Sequence, residues 1–216
     1  MPAPGARTLP SPARQADRLI ELGVHHIANM PAPDLRAAVA GLEVEDSLLV
    51  LPPDRAPVTR LAPLVEHGGK HGFVVVDMPD ADDFQPIEGA APPDGGAYLV
   101  RGLDRGDHLA NWSPDEALPE IHGAGRTPLT LSEGIHWLLQ QPAVLERGHC
   151  FMTIASRLRK AGGALDARTP ALWISNGTGR DGRHNRNAPK IGWCWAGNRH
   201  TWLGFASAAA REQLSS

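Results

Sequence analysis

Lys190-Ile-Gly-Trp-Cys-Trp-Ala-Gly-Asn-Arg-His-Thr-Trp-Leu-Gly204 carries two apolar runs on either side of Gly197, Asn198, Arg199 and His200. The pattern predicts strands over 190–196 and 201–207, closed by a tight turn with Asn198 and Arg199 at its centre. In that register Trp195 faces Trp202, Trp193 faces Gly204 and Cys194 faces Leu203, which puts Trp193, Trp195 and Trp202 on one face of a Trp-rich β-hairpin. The three indoles are ordinary core if helices cover that face and a ligand wall if they do not. Working outward from this hairpin, helices and strands follow one another without strict alternation. The expected class is therefore α+β rather than a doubly wound α/β fold.

Upstream, short apolar runs at 149–156 and 171–175 read as further strands of a C-terminal antiparallel sheet. Before them, Ser113-Pro114-Asp115-Glu116 and Thr130-Leu131-Ser132-Glu133 both match the capping box, in which a cap hydroxyl and a Glu carboxylate satisfy each other's backbone amides. Glu133 is thus expected as a cap rather than a catalytic acid. Pro119 is expected to keep the first of these helices short. In the second, Leu131, Ile135, Leu138 and Leu139 form a helical stripe that ends before Pro142. Near the N-terminus, Ser11-Pro12 starts a helix with the stripe Ala16, Leu19 and Ile20, which Gly23 closes. A second helix begins near Asp34. Strands are expected at 47–51, 72–78 and 97–101, and the acidic segment 77–83 reads as a solvated turn.

The 216 residues are 42% apolar and 21% charged, a composition within the range of ordinary globular chains and large enough to bury a core without staples. No apolar run approaches the roughly 18 residues of a membrane helix, and no signal-peptide h-region is present, so the expectation is a cytoplasmic protein without a membrane partner. Cys150 and Cys194 both lie in strand-like runs and are expected as reduced, buried thiols. The net charge of −3 hides a division. Residues 1–120 carry 9 basic and 19 acidic side chains, and residues 121–216 carry 12 and 5. The expected organisation is one α+β domain over 11–210, with an acidic lobe at 11–120, a basic lobe at 121–210, and tails at 1–10 and 211–216. Opposite charge lets such lobes attract each other, or steers an anion toward the basic one.

The strings Gly125-Arg-Thr-Pro-Leu-Thr-Leu-Ser-Glu-Gly134, His149-Cys-Phe-Met152, Ala171-Leu-Trp-Ile-Ser175 and the 190–204 segment together resemble an actinobacterial family of unassigned function. The resemblance runs from the first helix to the last strand and implies a unified fold, not an activity. Against that family, 177–187 looks like a lengthened loop. It spells G-x-G-x-x-G from Gly177 to Gly182, but the following residues have no apolar periodicity and include Pro189. The helix N-terminus that would hold a pyrophosphate is thus missing, and the loop is expected to be a solvated surface loop.

Nucleic acid is not expected as a partner, because the pI is near 6.3 and the basic loop has no interleaved aromatics. The ten histidines form no H-E-x-x-H motif, no C-x-x-C accompanies them, and no metal or cofactor is expected. What remains is a site lined by Trp, His and Arg that binds or transforms a small polar or anionic molecule. Arg126, Trp193, Trp195, Asn198, His200 and Trp202 are its candidate ligand-binding residues, and His200 and Lys190 its candidate catalytic groups. The competing expectation is a protein–protein interaction module without catalysis, since Trp and Arg are also hot-spot residues.

Overall fold

The computed structural model describes residues 8–214. In chain order its helices are α1 (Pro12–Glu21), α2 (Val24–Ile27), α3 (Ala32–Ala38), α4 (Val58–Leu61), α5 (Pro114–Gly123) and α6 (Leu131–Gln140). Its strands are β1 (Ser47–Val50), β2 (Glu66–His67), β3 (Lys70–His71), β4 (Phe73–Val74), β5 (Gln85–Pro86), β6 (Tyr98–Arg101) and β7 (Thr127–Pro128). They continue as β8 (Cys150–Met152), β9 (Ser156–Arg157), β10 (Arg168–Ile174), β11 (Pro189–Trp195), β12 (Leu203–Phe205), β13 (Ser207–Ala208) and β14 (Ala210–Gln213). The class is α+β, with helices gathered at the N-terminus and antiparallel strands β8, β10 and β11 at the centre of the C-terminal sheet.

Helix α6 organises the core. Its capping box is closed: the Thr130 hydroxyl accepts from the Glu133 amide and the Glu133 carboxylate accepts from the Thr130 amide. The residues from Leu131 to Leu139 are all buried, as befits a helix enclosed on all sides. On one side the Leu51 amide, just past β1, donates to His136 Nε2 at 3.2 Å. On the other, Gly134 lets the helix approach the five-stranded sheet, since a Cβ there would lie 2.7 Å from Leu172 and Thr153 methyls. The polar residues that enter this core bring partners with them. Glu133 holds Arg211 through two hydrogen bonds of 2.6 and 2.8 Å and accepts from the Tyr98 hydroxyl at 3.1 Å.

Two main sheets form, in the orders β1-β6-β14 and β12-β8-β10-β11-β4. The free edge of β1 is covered by α1 through Gln15, whose amide nitrogen donates to Ser47 O and whose amide oxygen accepts from Leu49 N. That side chain satisfies an edge that would otherwise present open backbone groups. Strand β14 pairs with β6 along Tyr98–Arg101, so part of the segment read as a 211–216 tail is a structural strand. Its last two residues and residues 1–7 of the expected N-terminal tail lie outside the described residues.

The Trp-rich hairpin does not form. Strand β11 pairs with β10 through seven residue pairs, from Arg168↔Trp195 to Ile174↔Pro189, and with β4 on its other edge. After Trp195 the chain turns away, and β12 instead joins β8 in parallel at the far side of the sheet. The ladder with β10 takes one edge of β11 and β4 takes the start of the other, while β12 pairs along the open edge of β8. Gly204 does not receive Trp193. A Cβ there would sit 2.5 Å from Arg105 O and 3.0 Å from the Asp107 amide nitrogen, because that backbone crosses directly over it. The hairpin that β11 does form is with β10, and it carries the 175–188 loop.

Two local expectations also change. Helix α5 runs through Pro119 to Gly123 instead of stopping there; its capping box, closed between Ser113 and Glu116, holds the first turn, so the one hydrogen bond that Pro119 cannot donate does not break the helix. The acidic segment 77–83 is not an idle solvated turn: Asp77 pairs with Arg180, Asp80 with Arg168 and Asp82 with Thr59. The Arg168 guanidinium, hydrogen-bonded to both oxygens of Asp80, holds that carboxyl below its ordinary range.

Candidate functional site

Where β4 stops pairing with β11, the edge opens into a cavity of about 150 Å³. Trp173 of β10, Lys190 and Trp193 of β11, Val75 and Asp77 after β4, and Arg180 and Asp181 of the 175–188 loop line it. Antiparallel register sets Trp173 opposite Lys190, so the ammonium sits 4.6 Å from the indole centroid, a cation–π distance. Gly192 makes room for this pair, since a Cβ would come within 2.6 Å of the Trp173 ring.

The loop that reads as a spurious phosphate motif builds one wall. Gly177, Gly179 and Gly182 take positive φ and let the chain coil into two short turns. No α-helix begins there, only two three-residue 3-10 turns, so no α-helix terminus is available for a pyrophosphate. The loop is pinned from three sides. Arg147 donates to Asn176 and Asn187. Asp181 accepts from Ser175 Oγ at 2.8 Å and from Lys190 Nζ at 2.6 Å. Arg180 reaches Asp77 at 2.5 Å. These ion pairs differ in character. Lys190 and Asp181 are only 14% and 10% exposed, whereas the Arg180 side chain is 71% exposed and holds to a single carboxylate. Arg180 is the cation free to turn.

Of the residues expected from sequence, Lys190 and Trp193 line the cavity. Trp202 stands behind it, edge-on to Trp173 at 6.2 Å, and His200 lies on Trp202 at 5.3 Å. The expected common face of three tryptophans is therefore divided, because β12 has left β11: Trp202 joins Trp173, while Trp193 and Trp195 meet edge-to-face with centroids 4.5 Å apart. Trp195 is 47% exposed, opposite Arg168 in the ladder. Asn198 is exposed on the loop after β11. Arg126 belongs elsewhere. Its guanidinium is spent on Ser207 Oγ, Ser207 O and Gly102 O, where it staples the β7–β13 pair. Sequence reasoning missed Val75, Asp77, Trp173, Arg180 and Asp181. Asp181, the lone acid in a basic loop, was the legible signal among them.

Neither cysteine is a thiolate at neutral pH. Burial pushes both the Cys150 and the Cys194 thiol up to about 11, and both are free. Among the described residues no group of three or more His, Cys, Asp or Glu side chains is placed to hold a metal ion. No helix among them is long and apolar enough to cross a membrane. The arrangement thus offers flat aromatic surface at the open sheet edge and two cations beside two carboxylates, a chemistry of binding. Comparison with known proteins matches residues 18–214 to DUF5701, a family of unknown function. No curated protein and no solved structure matches the chain.

Proposed function

The chain belongs to that family of unknown function over nearly its whole length, and we propose that it binds a small molecule carrying a flat ring and an anionic group. The ring lies against Trp173 at the open edge beside Val75, with Trp193 at the rim, and Arg180 turns from Asp77 to take the anion, with Lys190 supplying a second positive charge. The observation that carries this reading is the meeting of two tryptophan residues and two cations at one open-edge cavity, one of those cations mostly exposed. The cavity is small, about 150 Å³, below the roughly 300 Å³ at which drug-sized sites begin. It suits one ring or planar headgroup. Reduced thiols fit the cytoplasm as the place of action.

Titration with benzoate and nicotinate, followed by tryptophan fluorescence, tests the proposal. The parent should show a saturable change that Arg180→Ala weakens about tenfold, the loss of one charge-assisted hydrogen bond, while the unliganded melting temperature stays the same. Absence of saturation, or equal binding by the variant, refutes it. A docking role for the same edge is favoured by Val76 and Trp195, 71% and 47% exposed near the cavity. Trp195→Ala should then abolish capture of a protein partner while leaving the small-molecule titration unchanged.

A further inference from the structure

A second cavity, of about 400 Å³, opens between β5 and the hairpin that follows β9. Arg157, Arg159, Gln85, Leu158, Leu165 and Ile87 border it, and Asp83 stands at the same wall. Its volume falls within the roughly 300–1,000 Å³ of small-molecule sites.

Arg157 is the unusual member. Its Nε is buried and has no hydrogen-bond partner among the described residues. Its guanidinium donates from Nη2 to the Asp166 carbonyl at 2.9 Å. Burial drives its pKa down, opposed only at a distance by Asp115 and Asp166. The Asp166 carboxylate is occupied by Arg168 at 3.2 Å and Lys160 at 3.8 Å. The Arg159 guanidinium donates to the Gly163 carbonyl at 3.1 Å. Two guanidiniums therefore face one cavity without a paired carboxylate among the described residues, and one of them is partly desolvated at a cost that a single carbonyl hydrogen bond and two distant carboxylates offset only in part. Arg is the side chain that matches a carboxylate with a planar fork. The remaining wall is apolar, with Leu165 39% exposed.

We infer that this cavity binds a small organic carboxylate with a short apolar chain. The carboxylate lies on Arg157 and Arg159, and the chain lies along Leu158, Leu165 and Ile87. A bare phosphate would leave that apolar wall unfilled and bring a second negative charge toward Asp83, so the monoanion is favoured. The site is separate from the Trp-lined cavity and does not depend on the reading of it.

Calorimetric titration of the full chain with hexanoate, hexylamine and inorganic phosphate tests the inference. Hexanoate should bind saturably, hexylamine should not, and phosphate should bind more weakly. Arg157→Met, which keeps the stem and removes the desolvated charge, should melt at or above the parent temperature and lose hexanoate affinity about tenfold or more. Leu165→Ser, at an exposed position, should stay folded and weaken hexanoate but not phosphate. Arg180→Ala should bind hexanoate as the parent does, which keeps this result independent of the other cavity. The inference is overturned if hexanoate does not saturate, if phosphate or hexylamine binds as tightly, if Arg157→Met binds like the parent, or if that variant melts well below it, since Arg157 would then be a structural group.

Discussion

His136 should make the stability of this protein fall steeply as the solution is acidified from neutrality. The ring is wholly buried in α6, with Nδ1–H donating to Ser132 O at 2.8 Å and Nε2 accepting from the Leu51 amide. Both nitrogens are thus used by the neutral form, and protonation would set Nε2–H against the Leu51 N–H. Burial lowers its pKa from 6.5 to about 4, with the Ser132 hydrogen bond opposing. The unfolded chain takes up the proton near pH 6.5 and the folded chain resists it until about 4, so between those values the unfolded state binds more protons. Stability is fully present above pH 6.5 and is lost as pH falls toward 4. Each pH unit between the unfolded and folded values is worth about 1.4 kcal/mol, so the full loss is about 3 kcal/mol, and about 2 kcal/mol of it falls between about pH 7 and pH 5. For a chain of this size that corresponds to about 4–8 °C in melting temperature. His25, also lowered by burial, contributes in the same direction, and Asp80 and Asp166, held below their ordinary values, act at lower pH. Comparison with His136→Gln isolates the ring. The variant should be less stable at pH 7 by about 1–3 kcal/mol, the cost of an unmatched buried amide, yet lose about 2 kcal/mol less than the parent on going to pH 5. Denaturant titrations at the two pH values measure this. Parallel pH dependence in the two proteins, or a His136 ring titrating near 6.5 in the folded state by NMR, would refute the reasoning.

The Glu133–Arg211 pair, 0% and 7% exposed, should behave as a unit. Arg211→Met alone should cost about 3–5 kcal/mol by leaving the carboxylate buried and unpaired, and Glu133→Gln added to it should recover much of that loss in a double-mutant cycle. Gly204→Ala, which forces a Cβ against Arg105 O at 2.5 Å, should destabilise by about 1–3 kcal/mol or more, measured by chemical denaturation, because the obstructing atom is backbone. Unchanged stability would mean that the crossing segment yields.

Much of this molecule is legible one short window at a time. The caps at Ser113 and Thr130, the Pro12 helix start, the apolar stripe of α6 and the strandlike runs at β1, β6, β10 and β11 were all readable, because capping and periodicity are satisfied by residues three or four apart. They are enough to set the α+β class. Strand partnership is not local in this sense. The two runs around Gly197–His200 have every short-range sign of a hairpin, and they part because β10 pairs β11 along its length, β4 takes part of the other edge, and β8 leaves an edge open to β12. The cavity has the same origin. Arg180 and Asp77 are 103 residues apart, and no spacing in the sequence announces that β4 stops short and leaves room for Trp173, Lys190 and the loop to meet. Residue types and caps belong to the sequence alone. Which edges close, and which unpaired edge becomes a site, is decided only when distant strands compete for the same hydrogen bonds.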